Sequence, residues 1–170
     1  MRRIITCVFG LVLCSISSGS ERIIAEGVVN APVSAVWKAW TTSAGLMSWL
    51  APHADIDLRL GGLMRTHYKA EGSLGDAGTI ENEIIAFDPE RMLAIRVSRA
   101  PADFPFKGSI KAMWTVLYFT AERDGTTHFK VVGLGFTADA ESQKMKQFFE
   151  RGNAYTVDQL KKHFEARAQK

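Results

Sequence analysis

Between Asp55 and Phe136 the chain passes through six apolar-rich segments in succession, with no helical period between any two of them. The first, "DIDLRL", sets Ile56, Leu58 and Leu60 against Asp55, Asp57 and Arg59, the period of two that a half-buried strand requires. Gly61-Gly62 turns the chain into "LMRTHYKA". "IENEIIAF", "RMLAIRV", "MWTVLYFTAE" and "THFKVVGLGF" follow, joined in part by Asp88-Pro89 and by Arg123 to Gly125, residues that favour tight connections. Strands linked this closely pair antiparallel, because a parallel neighbour needs a crossover of a dozen or more residues.

Helical spacing is confined to the two ends of this run. After a strand-like "RIIAEGVVN", Pro32 suits the first position of a helix, where its missing N–H costs nothing. Val33, Val36, Trp37 and Trp40 then form one apolar stripe. Ser43 is positioned to cap a second short helix, Ala44 to Leu50, which Pro52 stops. The chain closes with one long helix, Asp139 to Ala168. Met145, Phe148, Phe149, Tyr155, Leu160 and Phe164 give it an apolar side, and Lys144, Lys146, Lys161 and Lys162 a solvated one. These elements predict an α+β sandwich, a long helix lying across a curved antiparallel sheet and open along one side. "SRAPADFPFKGSIK", from Ser98 to Lys111, is a long apolar loop of the kind that often carries function.

Arg2 and Arg3 precede an uninterrupted apolar run from Ile4 to Ile16, followed by "SSGS". That is the pattern of a signal peptide, and the run falls short of the ~20 apolar residues a membrane span needs. The division expected is a leader over 1–20 and a single domain over 21–170, exported to the periplasm or beyond, with no stable membrane span after cleavage. Leu13 stands before Cys14 where a lipoprotein signal wants a small residue. Of 21 Lys and Arg, two lie in the leader, so against 18 Asp and Glu the mature domain carries a net charge of about +1. Nothing in that balance favours nucleic acid. Both cysteines, Cys7 and Cys14, also lie in the leader, so no disulfide, thiolate metal site or cysteine nucleophile is expected of the mature chain.

The remaining chemistry is sparse. His53, His67, His128 and His163 show no metal-ligand spacing, and no metal or cofactor is expected. Ser34, Ser43 and Ser48 lack the context of a nucleophile. Glu81 and Glu83 share one face of a strand, where solvation is the commoner outcome and acid–base work the rarer. Better candidates for touching a ligand are Met64, Thr66 and Tyr68, placed on one face by a period of two, with Arg96 and Trp114 on strands that can present them inward. Arg96 can equally pair with a neighbouring Glu. Trp37 and Trp40 are expected in the core, and Trp49, beside Pro52, at an entrance.

"NAPVSAVWKAWTTSAGLMSWLAP", "DLRLGG", "IIAFDPERML", "TTHFKVVGLGF" and "GNAYTVDQLKKHF", in this order and spacing, resemble the START/SRPBCC superfamily. Within it they are most similar to the branch named after the Hsp90 ATPase activator. The resemblance runs from about Ile23 to Phe164. It implies a helix-grip fold, in which a bent antiparallel sheet wraps a long C-terminal helix around a deep apolar cavity that takes lipids, polyketides or aromatic compounds. Gly152 matches the family's glycine, and with Phe148 and Tyr155 it is expected beside that cavity. Two positions depart from the pattern: Gly133 stands where many relatives carry a histidine, and Asn153 where many carry a tryptophan. The function expected is binding of a small hydrophobic molecule by a monomer or weak dimer. A cyclase- or hydrolase-type enzyme using Tyr68, Arg96 or Glu83 is the alternative. An Hsp90 cochaperone is the third reading, which the leader opposes.

Overall fold

The computed structural model describes residues 21–168, so the leader and both cysteines lie outside the described residues. Strand β1 (Glu21–Val29) is followed by helices α1 (Val33–Thr41) and α2 (Ser43–Met47). Strands β2 (His53–Ile56), β3 (Leu63–His67), β4 (Ile80–Asp88) and β5 (Met92–Arg99) come next. A 3-10 turn (Ser109–Ala112), β6 (Trp114–Ala121), β7 (Thr127–Phe136) and helix α3 (Ala140–Ala168) complete the chain. The seven strands form one sheet in the order β1-β7-β6-β5-β4-β3-β2, every pair antiparallel. This is the helix-grip α+β architecture: a meander from β2 to β7, with β1 returning to pair with β7.

Residues directly opposite one another across a ladder share a face, so the register fixes what points toward α3. Ile84, Ile95, Thr115, Gly133 and Ile23 form one inward row across five strands. Leu93, Leu117, Val131 and Ala25 form the next, and Met64, Asn82 and Val97 another toward β3. Helix α3 rests on β1 and β7. Its Val157, Leu160 and Phe164 join a buried cluster with Val29, Trp37, Trp40, Phe119 and Phe129, while Met145 joins a second cluster with Ile23, Ile110, Met113 and Phe136. Each such side chain contributes about 1.5–3 kcal/mol on burial. Gly27 lets the helix come close, since a Cβ there would stand 3.2 Å from Val157 Cγ1.

Cap chemistry sets the start of α3. The Ser142 amide donates to Asp139 Oδ1 at 2.9 Å, and the Thr137 hydroxyl donates to the same carboxylate. Lys146 and Gln143 then reach Glu21, tying the first turns of the helix to the start of β1.

Three local expectations change. Pro32 is the N-cap of α1, in extended conformation, and not its first helical residue. The cap of α2 is Thr42, whose hydroxyl accepts from the Gly45 amide at 3.0 Å, whereas Ser43 Oγ accepts from the Ile56 amide. The run "DIDLRL" is strand only as far as Ile56. Beyond it the chain turns, with the Arg59 amide on the Asp57 carbonyl and the Gly62 amide on the Arg59 carbonyl, leaving Leu60 exposed. Gly61, at φ 71°, makes that turn feasible.

Candidate ligand-binding site

Phe148, Gly152 and Tyr155, at i, i+4 and i+7, share one flank of α3 and not its buried stripe. Phe148 is 45% and Tyr155 66% exposed. A Cβ on Gly152 would meet nothing within 4 Å, so this glycine is not there to let the helix touch the sheet. The loop after β5 leans on the same flank. Phe104 and Phe106 stand 5.9 and 5.8 Å from the Phe148 ring, centroid to centroid, both edge-on, and Phe149 closes the group 5.3 Å from Phe148. Edge-on pairs of this kind are worth about 0.5–1.5 kcal/mol beyond their buried area.

Met64 and Thr66 are buried on the inner face of β3, as the period of two requires. Tyr68 lies one residue beyond the end of that strand. Its surface is 56% exposed, and desolvation raises the pKa of its phenol above the ordinary value, with the neighbouring Thr66 side chain acting in the opposite direction. The chain that follows Tyr68 is held by His67. The buried His67 ring donates from Nε2 to Asp76 Oδ1 at 2.9 Å, and its Nδ1 accepts from the Lys69 amide at 3.2 Å. His53 Nε2 meets the Ala70 carbonyl at 2.8 Å. These two histidines hold a loop; among the described residues no group of three His, Cys, Asp or Glu side chains is arranged to hold a metal.

Arg96 and Trp114 stand on the outer face, a correction to their expected inward placement. The reason is parity. Ile95 and Val97 point inward from β5, so Arg96 between them points out, where it pairs with Glu83 at 3.5 Å. Leu117 and Phe119 fix the inward set of β6, which leaves Trp114 outside. Glu81 pairs on the same face with Arg99 at 3.3 Å. Trp49 is half-buried against the first core cluster, edge-on to Trp40 at 5.0 Å, and its indole N–H donates to the Ala39 carbonyl.

Sequence reasoning singled out the loop from Ser98 to Lys111 for its two prolines and two phenylalanines but did not place Phe104 and Phe106 among the site residues. It also passed over Asn82, an inward carboxamide on β4. A separate cleft of about 420 Å³ lies between the α1–α2 corner and the end of α3, bordered by Lys38, Thr42, His163, Phe164 and Arg167. Burial, and then the charge of Arg167, lower the pKa of His163 below the ordinary value.

Solved structures share the architecture. The protein MLL2253 of Mesorhizobium loti superposes with a TM-score of 0.66 at 16% identity, covering 86% of this chain and 98% of its own. The AHSA1-like protein of Aeromonas hydrophila does so at 0.60 and 15%, covering 88% and 96%, and CalU16 of Micromonospora echinospora at 0.57 and 20%, covering 85% and 83%. At such identities the likeness is one of fold. No curated protein matches the sequence. The sequence pattern of the family described as "Activator of Hsp90 ATPase homolog 1-like protein" matches residues 30–165, nearly the whole described domain. The chain therefore belongs to the AHSA1-like family, within the SRPBCC superfamily.

Proposed function

We propose that the protein binds a small hydrophobic molecule, a lipid, polyketide or aromatic compound, between the inner face of β3–β5 and the open flank of α3. The observation that carries this reading is the aromatic flank itself. Phe148 leaves apolar surface uncovered beside Phe104 and Phe106, and Tyr155 extends the same flank two turns further along the helix. Contiguous apolar surface of this kind marks a binding face. The enzyme alternative loses its acid and its base partner, since Glu83 and Arg96 neutralise each other on the outer face. The charged start and apolar run within 1–20 support export to the periplasm or beyond, away from cytosolic Hsp90.

Native mass spectrometry of protein recovered from its own cells tests the proposal. The expected spectrum shows an added mass that organic extraction removes. Protein that carries no adduct and also fails to bind a neutral apolar dye would overturn it.

A further inference from the structure

Met145, Phe149, Asn153, Val157, Leu160 and Phe164 share one face of α3 at helical spacing. The Ser142 and Thr156 hydroxyls on that side have backbone partners, whereas Asn153 Nδ2 is buried without a hydrogen-bond partner. It stands over a discontinuity in the apolar interior. Phe149, one turn before it, packs with the cluster around Met113 and Phe136; Val157, one turn after, belongs to the cluster around Phe129. The sheet repeats the break. Along one inward row, Ile95 belongs to the first cluster and Ile23 to the second, and between them lie Thr115 and Gly133, which add no apolar bulk. Asn82 adds a second carboxamide to the same face.

A buried donor left unpaired is costly, and a fold that needed only to be filled here would do better with an apolar side chain. The inward rows of β1 and β3–β7 described above carry no charged side chain, so an ionised ligand group entering among them would go uncompensated. From this, and resting on the binding reading above, we infer that Asn153 is a specificity-determining residue. It donates a hydrogen bond to a neutral carbonyl oxygen on a hydrophobic skeleton, and so selects a ketone or ester over a hydrocarbon or a free carboxylate of the same size.

Displacement of Nile red, a neutral dye, by methyl nonyl ketone, undecane and undecanoate tests this with chain length held constant. The parent protein is expected to bind the ketone about three- to tenfold more tightly than undecane, the range of one net hydrogen bond, and undecanoate more weakly than the ketone. In Asn153→Leu the ketone's advantage disappears, undecane binds as well as before or better, and the melting temperature rises. Asn153→Ala, which cannot overpack the interior, loses the same advantage. A ketone preference that survives in both variants overturns the inference, as does a parent that binds the dye but shows no preference; in either case the binding reading stands. A parent that carries no adduct and does not bind the dye at all overturns both.

Discussion

Two glycines six residues apart show how single positions hold the loop after β3. A Cβ on Gly72 or on Gly78 would overlap the His67 ring, so the backbone can close around that imidazole only where side chains are missing. Gly72→Ala is therefore expected to destabilise the domain by about 1–3 kcal/mol, as overpacking does, read from the midpoint of urea unfolding. An unchanged midpoint would show that the loop does not close on His67. Gly152 is the opposite case. Its surroundings are empty, so Gly152→Ala should raise stability by about 0.5–1 kcal/mol by restricting the unfolded chain. A loss of stability in the same unfolding experiment would mean that something does pack against this position.

At the scale of elements, the loop from Tyr68 to Thr79 depends on Asp76, whose carboxylate accepts from the Ser73 and Gly78 amides and from His67. Those bonds, that of Ser73 first, hold its pKa below the ordinary 3.8. A depressed folded pKa contributes stability that is complete above the unfolded value and is lost as pH falls through the folded one. Acidification below the ordinary Asp range should thus speed hydrogen exchange at Ser73 and Gly78 before the sheet opens, and Asp76→Ala should remove that pH dependence; equal protection at both pH values would contradict it. At the other end of the chain, Asp139→Ala removes the cap of α3 and is expected to cost about 1 kcal/mol. Most of these elements were legible in the sequence, because alternation marks strands and the stripe from Met145 to Phe164 marks the helix. "DIDLRL" misled because alternation continues through residues that the Asp57–Gly62 turn takes out of the sheet. Arg96 and Trp114 misled because their faces are set by the parity of neighbours such as Ile95 and Leu117, which the pairing register reveals. The approach of Phe104 and Phe106 to Phe148 joins segments some forty residues apart, and no local pattern encodes it.

For the whole molecule, one long helix covers β1 and β7 and leaves an aromatic flank uncovered, with Phe104 and Phe106 against it. On the proposed reading, the fold supplies an apolar face and the choice of ligand falls to the few polar groups set into it. Export belongs to this scale as well. Intact mass of the protein recovered outside the cytoplasm should correspond to a start at about Glu21, and a chain retaining Met1 in the membrane fraction would contradict the proposed compartment. The account's central claim is that ligands enter between the helix and the inner face, and an amide NMR titration with methyl nonyl ketone tests it most directly. Shifts are expected at Thr66, Tyr68, Asn82, Gly152 and Asn153, with Arg96 and Val116 on the outer face unmoved. Shifts centred on the outer face, or confined to the cleft between Lys38 and Arg167, would contradict it.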